Sequence, residues 1–99
     1  MKFEWDPNKE KINVQKHGIT FEQASYVFAD PYALSKFDEN HSGEEDRWLL
    51  LGKSLNEVLL VVVHAFKDRD DGGEELVRII SARKATANES AQYHLRCPR

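Results

Sequence analysis

The segment from Val58 to Phe66 constrains the fold of this chain more than any other. Its nine residues are mostly β-branched or aromatic, which is the composition of a β-strand. Because apolar residues follow one another almost without a break, we expect this strand at the centre of a sheet. An acidic loop from Lys67 to Glu75 leads to a second apolar strand, Leu76 to Ala82. The two strands are expected to pair as a hairpin.

Local signals predict the remaining elements. Residues 2–5 alternate polar and aromatic side chains, as a short strand does. Asp6-Pro7 provides an N-cap and an initial proline for a first helix, which runs to His17 and ends at Gly18. Capping-box and strand patterns predict the other elements: a helix from Thr20 to Asp30, strands over Ala33–Phe37 and Arg47–Leu51, and a helix from Thr86 to about Leu95.

The predicted order is β-α-α-β-β-β-β-α over a single domain, residues 1–99. Consecutive strands are joined by short loops, which favours an antiparallel β-sheet meander. Two N-terminal helices and one C-terminal helix would cover one face of that sheet. The fold class predicted from the sequence is therefore a two-layer α+β domain.

Composition narrows the class of protein. The hydrophobic fraction of 40% is enough for one core. Cys97 is the single cysteine, so an internal disulfide framework and a multi-cysteine metal site are both excluded. The N-terminus is charged within six residues, and the apolar runs are far shorter than the ~20 residues that span a bilayer. We expect a soluble cytoplasmic protein that holds no metal.

The charge is distributed unevenly along the chain. The net charge is −3, which argues mildly against a nucleic-acid partner. Residues 1–75 contain nine Lys/Arg and sixteen Asp/Glu, whereas residues 76–99 contain five Lys/Arg and one Glu. A basic C-terminal part is compatible with a local anion-binding cleft.

The last hairpin contains the most informative pair of polar residues. If it pairs symmetrically about its loop, His64 and Arg78 lie opposite each other on one face. A guanidinium disfavours a charged imidazole beside it, and a shared anion such as a phosphate would relieve this conflict. The alternative interpretation is a hydrogen-bonded core histidine and an arginine paired with a loop acid.

Other cations and one aromatic residue are weaker candidates. Lys67 and Arg83 lie at strand ends, ~25 Å apart along a straight hairpin, which suits an extended polynucleotide better than a small ligand. Arg47 also lies at a strand end, and each of these three cations could instead be solvated. Lys16 and His17 could simply complement a helix dipole. Trp5 is a core residue or a stacking platform for an RNA base.

Residues of these kinds recur together in a known family. They run in order along nearly the whole chain: Phe3-Glu4-Trp5-Asp6-Pro7, Asn13, Lys16-His17-Gly18, Phe21-Glu22, Val27-Phe28-Ala29-Asp30-Pro31, Glu45-Asp46-Arg47-Trp48, Leu60-Val61-Val62-Val63-His64, Arg78-Ile79-Ile80-Ser81-Ala82-Arg83, Ala85 and Glu89. In this respect the chain resembles the BrnT family of type II toxin–antitoxin ribonucleases. The segments 16–18 and 78–83 are the most specific.

The resemblance implies a RelE-like fold and RNA cleavage that inhibits translation and growth. It implies a cognate, BrnA-like, DNA-binding antitoxin that neutralises the toxin and represses the shared operon, a toxin dimer within that complex, and no cofactor. It points to His64, Arg78 and Arg83 as site residues. Family members often carry Arg where this chain has Lys67, which keeps the charge but loses the planar fork that grips phosphate.

Metal-independent cleavage by the RNA 2′-hydroxyl needs a base, cations for the developing charge, and an acid for the leaving oxygen. The expected catalytic residues are His64 as base or acid, Arg78 and Arg83 at the phosphate, and Lys67 on the backbone. The expected substrate-binding residues are Arg47, Trp5, Lys16 and His17. The competing hypothesis is a non-catalytic protein-interaction module that acts only in an antitoxin–DNA regulatory complex, which the acidic net charge favours.

Overall fold

The structure, a computed structural model, describes residues 1–40, 43, 45–67 and 75–96. Its elements are β1 (Lys2–Glu4), α1 (Pro7–His17), α2 (Phe21–Ser25), a 3₁₀ turn (Tyr26–Ala29), β2 (Leu34–Phe37), β3 (Trp48–Lys53), a second 3₁₀ turn (Leu55–Glu57), β4 (Leu59–Lys67), β5 (Leu76–Lys84) and α3 (Ala87–Arg96). Most of the acidic loop predicted after β4, residues 68–74, lies outside the described residues. None of the helices in the described ranges is long and apolar enough to cross a membrane.

The predicted helix caps are confirmed. Asp6 accepts a hydrogen bond from the Asn8 amide at the start of α1, and Gly18 ends that helix with a positive φ of 69°. Such a φ favours glycine because it lacks a Cβ. Thr20 and Gln23 form a reciprocal capping box before α2. The helix predicted up to Asp30 instead ends at Ser25 and continues as the first 3₁₀ turn.

The sheet is mixed, with the strand order β1-β5-β4-β3-β2. The meander from β2 to β5 is antiparallel, as predicted, but β1 pairs in parallel with β5, from Lys2 opposite Leu76 to Glu4 opposite Arg78. The prediction of a wholly antiparallel sheet was therefore wrong. Two helices separate β1 from the next strand, so no hairpin fixes its direction and it can join the free edge of β5.

The helices lie on both faces of the sheet, and the predicted single helical layer was also wrong. Phe21 of α2 packs in one core cluster with Leu60 and Val62, whereas Tyr93 of α3 packs with Val61 on the other face. Successive side chains of a strand point to opposite faces, so the apolar run of β4 supplies both clusters. β4 is apolar along nearly its whole length because both of its faces are covered.

A bulge interrupts the pairing of β4 with β5. Val63 lies opposite Ser81, but His64 lies opposite Ile79, so Ile80 has no partner in the ladder. Beyond this point Arg78 lies opposite Ala65. A one-residue shift in register reverses the face that a side chain occupies. The predicted pairing of His64 with Arg78 is therefore wrong, and the two side chains lie on opposite faces.

Candidate functional site

Three charged side chains meet where β1, β5 and β4 lie side by side, on the face opposite α1 and α2. Glu4 and Arg78 share one rung of the sheet, and Arg78 Nε lies 3.4 Å from Glu4 Oε2. Lys67 Nζ lies 3.5 Å from the same oxygen. Each of the three side chains keeps about a third of its surface exposed. We call Glu4, Lys67 and Arg78 the Glu4 cluster.

A second carboxylate approaches this cluster from the loop before β3. Glu45 Oε1 lies 4.0 Å from Arg78 Nη1. The loop acid that the alternative interpretation required for Arg78 is therefore present. The Glu4 cluster offers two cations that can bind an anion and a carboxylate that can accept a proton. Within the described ranges, no three His, Cys, Asp or Glu side chains gather in a group that could hold a metal ion.

His64 is a core residue on the other face. The residue is only 1% exposed, and its ring makes edge-on contacts with Phe28 and Phe66, at centroid distances of 4.8 and 5.2 Å. Nδ1 lies 3.1 Å from the Val62 carbonyl oxygen, to which it donates in the neutral ring. Burial lowers the pKa of His64, because the charged form loses its hydration. The structure thus places a neutral imidazole away from the Glu4 cluster.

Arg83 lies at the other end of β5 and is held by Glu89. Its Nη1 and Nη2 donate to the two oxygens of Glu89 at 2.8 and 3.0 Å. These bonds raise the pKa of Arg83 and lower that of Glu89 to about 2. Arg83 pairs with Val61, six residues along β4 from Lys67, a separation of about 20 Å. The structure therefore does not bring Arg83 to the Glu4 cluster.

Two adjoining clefts lie between α1 and β5. The first has a volume of about 270 Å³ and is lined in part by Trp5, Lys9 and Arg78. The second, of about 330 Å³, is lined in part by Lys16 and His17. They share Lys9 and Ile80, the residue that the bulge leaves without a ladder partner. We call the two clefts together the α1–β5 groove.

The groove is held in shape by one buried amide. Asn13, 4% exposed, donates to the Ile19 carbonyl at 2.9 Å and accepts from the Ala82 amide at 3.0 Å. These bonds fix α1 against β5. The Trp5 ring packs edge-on against Phe21 at 6.1 Å, as a core residue does, and Trp5 also lines the groove. The stacking of an RNA base on Trp5 stays a prediction.

Arg47 lies immediately before β3, at the end of the sheet where β4 ends. Its carbonyl accepts a hydrogen bond from the Asp38 amide at 2.9 Å. Trp48, the next residue, pairs with His64. Of the predicted site residues, the structure therefore gathers Lys67 and Arg78 in the Glu4 cluster and Trp5, Lys16 and His17 along the groove. It separates His64 and Arg83 from both.

Glu4 and Lys9 are two charged residues of these sites that were not predicted from the sequence. The alternation of β1 could have indicated the face that Glu4 occupies. Phe3 packs toward the core, so Glu4, the next residue, must point to the opposite face. The sequence signal for Lys9 was weaker. Lys9 is seven residues before Lys16, and this spacing places both lysines on one side of α1.

Comparison with known proteins identifies the family of this chain. Residues 5–89 match the model of the family described as the ribonuclease toxin BrnT of type II toxin–antitoxin systems. The crystal structure of the Brucella abortus ribonuclease toxin BrnT is similar, with a TM-score of 0.57 and 26% sequence identity over 87% of this chain and 97% of that one. No curated protein sequence matches the chain. Since the family model spans most of the chain, this protein belongs to the BrnT family of type II toxin–antitoxin ribonuclease toxins.

Proposed function

We propose that the chain cleaves RNA at the Glu4 cluster, without a metal ion, through attack by the RNA 2′-hydroxyl. The observation that carries the proposal is the approach of Lys67 and Arg78 to one carboxylate, at 3.5 and 3.4 Å, beside an open groove. All three side chains are partly exposed, so a phosphate can reach them. The family model supports ribonuclease activity and covers Lys67 and Arg78, although it begins one residue after Glu4.

In this mechanism the scissile phosphate replaces the carboxylates at Arg78, whose planar fork holds two phosphate oxygens. Glu4 accepts the 2′-hydroxyl proton as the 2′-oxygen bonds to phosphorus. The bond from phosphorus to the 5′-oxygen breaks, and Lys67 donates a proton to that leaving oxygen. The two cations stabilise the charge of the pentacoordinate state. The products are a 2′,3′-cyclic phosphate and a free 5′-hydroxyl.

The mechanism assigns no chemical step to His64 or Arg83. His64 is buried among aromatic rings, and a base must come within hydrogen-bond reach of its proton. Arg83 makes two short bonds to Glu89, which a phosphate would have to replace. Its role in the proposal is to hold α3 against the sheet.

A type II toxin has a cognate antitoxin as its partner, and this follows from the family. We further propose that the antitoxin is BrnA-like and binds DNA, that the toxin dimerises only within their complex, and that the single domain acts in the cytoplasm. The net charge of −3 argues against an extended RNA interface, so the proposed RNA contact is confined to a local site.

Induction of the toxin in a host that lacks the antitoxin, followed by assay of the purified variants on RNA, tests the proposal. We expect growth arrest, cleavage that resists chelators, and a cyclic phosphate end. Glu4→Gln and Arg78→Ala should each lower kcat by about a hundredfold or more. Lys53→Ala and Glu57→Gln are matched controls, because they change the charge in the same way at an ion pair outside the Glu4 cluster. Both should leave the rate unchanged.

The proposal fails if Arg78→Ala cleaves at the normal rate, or if a 2′-deoxy substrate is cleaved as fast as RNA. If the normal chain neither arrests growth nor cleaves RNA but still binds its antitoxin, the non-catalytic interaction module becomes the better description. One observation favours that module: Lys67, Arg78 and Arg83 each lie within 4.0 Å of a carboxylate.

A further inference from the structure

Helix α1 presents two lysines to the α1–β5 groove. Lys9 and Lys16 are seven residues apart, which is close to two helical turns, so both lie on the side of α1 that faces β5. The distance along the helix axis is about 10 Å. His17 lies beside Lys16, and Asn13 between the lysines fixes that side of the helix to β5.

These lysines differ electrostatically from three cations of the last hairpin. Lys67, Arg78 and Arg83 each have a carboxylate within 4.0 Å, whereas neither Lys9 nor Lys16 forms an ion pair with any residue that the structure describes. Both side chains are exposed. Glu4 and Asp6 line only the cleft nearer β1, and the cleft that Lys16 lines has no acidic residue among those described. No described acidic residue therefore neutralises the positive charge of the cleft that Lys16 lines.

The groove also leads to the Glu4 cluster. Arg78 lines the first cleft together with Trp5 and Lys9, and Lys9 is shared with the second cleft. A strand bound at Arg78 can therefore continue past the Trp5 ring to Lys16 without leaving the groove. An aromatic ring beside a row of cations is the combination that binds single-stranded nucleic acid.

We propose that the α1–β5 groove binds the single-stranded RNA that flanks the cleavage point. Lys9 and Lys16 contact backbone phosphates, and Trp5 stacks against a base. The lysine spacing of about 10 Å corresponds to about three nucleotides at 3.4 Å per stacked base. This inference rests on the proposed function, because cleavage at the Glu4 cluster defines which part of the RNA lies in the groove. Binding in the groove can nevertheless be measured without any cleavage.

The test measures binding of a fluorescent 2′-O-methyl RNA oligonucleotide, which lacks the attacking hydroxyl, at several salt concentrations. We expect Lys9→Ala and Lys16→Ala each to weaken binding about threefold to tenfold and to reduce the slope of log affinity against log salt by about 0.7. Lys11→Ala is the matched control. It removes the same charge from the same helix, but Lys11 is exposed and lines a different cleft, on another side of α1.

Kinetics on cleavable RNA provide the second readout. The two groove variants should raise KM and leave kcat within about twofold, because a contact outside the reacting centre contributes uniform binding. A trinucleotide substrate should be less affected by Lys16→Ala than a longer one. Thermal unfolding of all three variants should match the normal chain, since these side chains are exposed and form no ion pair with a described residue.

The inference is overturned if the groove variants bind RNA no more weakly than Lys11→Ala, or if the normal chain does not bind the oligonucleotide. It is likewise overturned if they lose affinity only for the antitoxin, which would identify the groove as an antitoxin surface. The outcomes remain separable from those of the proposed function. If the groove variants lose RNA binding but Arg78→Ala still cleaves at the normal rate, RNA binding in the groove is supported and cleavage at the Glu4 cluster is rejected.

Discussion

Arg83 and Glu89 join β5 to the first turn of α3 through two hydrogen bonds of 2.8 and 3.0 Å. The same carboxylate accepts from the Thr86 amide at 2.8 Å, while Thr86 Oγ1 accepts from the Glu89 amide at 3.2 Å. One side chain therefore completes a capping box and holds a cation of the sheet. This double use explains why the pKa of Glu89 falls to about 2.

We predict that Glu89→Gln lowers the free energy of unfolding by about 1 kcal/mol at neutral pH, a value reduced for the partial exposure of the pair. The folded pKa of about 2 lies below the ordinary 4.5. The ion pair therefore stabilises the fold fully above 4.5 and loses its effect as pH falls toward 2. Urea unfolding of both proteins across this range should show a difference that shrinks as the pH is lowered.

Glu57→Gln is the control for this prediction, because Glu57 pairs with Lys53 at 3.8 Å but is 86% exposed. It should leave the stability unchanged within error. A Glu89→Gln protein as stable as the normal chain at every pH would show that the Arg83–Glu89 contact contributes nothing.

Short-range signals in the sequence were sufficient for much of the fold. Asp6, Gly18 and Thr20 act on the backbone within a few residues, so they predicted the boundaries of α1 and the start of α2. The direction of β1 and the bulge at Ile80 depend on pairing between distant segments. No local pattern specifies such contacts, and these are the features that the sequence analysis missed.

The residues of the candidate site likewise fall into those that the sequence predicted and those that depend on pairing between distant segments. The sequence identified Arg78 and Lys67 because cations near an apolar strand are conspicuous. It did not identify Glu4 as the carboxylate they share, since that contact exists only once β1 lies beside β5. The predicted pairing of His64 with Arg78 was wrong for a related reason, because the register places Arg78 opposite Ala65, on the other face of the sheet.

We predict that His64→Gln changes the acid stability of the protein but not its chemistry. Burial holds the pKa of His64 below 6.5, so below that pH the unfolded chain takes up a proton that the folded chain resists. The normal protein should therefore lose stability between about pH 7 and pH 5, and the variant should lose less. The measurement is urea unfolding at both pH values, with the exposed His94→Gln as control.

The same His64→Gln protein should cleave RNA at a rate within about threefold of normal where it is folded, since no chemical step uses the ring. A loss of a hundredfold or more in kcat, with normal circular dichroism, would return His64 to the list of catalytic candidates.

We predict that Gly52→Ala destabilises the fold by about 1 to 3 kcal/mol through overpacking. A Cβ at this position would lie 2.9 Å from Val27 Cγ1, 3.0 Å from Ala33 Cβ and 3.1 Å from Asp30 Oδ2. Asp30 cannot move freely, because it also accepts from the Tyr93 hydroxyl at 2.6 Å. Gly43→Ala is the matched control, since a Cβ there meets nothing within 4 Å. Equal thermal unfolding of the two variants would contradict the prediction.

We predict that Lys67→Arg increases RNA affinity and that Lys67→Ala decreases it. Lys67 lies 3.5 Å from Glu4, and an arginine there would present a planar fork in place of a single ammonium. We expect KM to fall about threefold in Lys67→Arg, and kcat/KM to fall about tenfold or more in Lys67→Ala. Lys53→Arg provides the control: Lys53 is also 34% exposed and also pairs with a glutamate, but it lies outside the Glu4 cluster. Because Lys67 is the proposed proton donor, kcat should fall in Lys67→Arg even as KM improves, since a guanidinium keeps the charge but does not release its proton. A Lys67→Arg protein with a normal kcat would show that Lys67 acts through its charge alone.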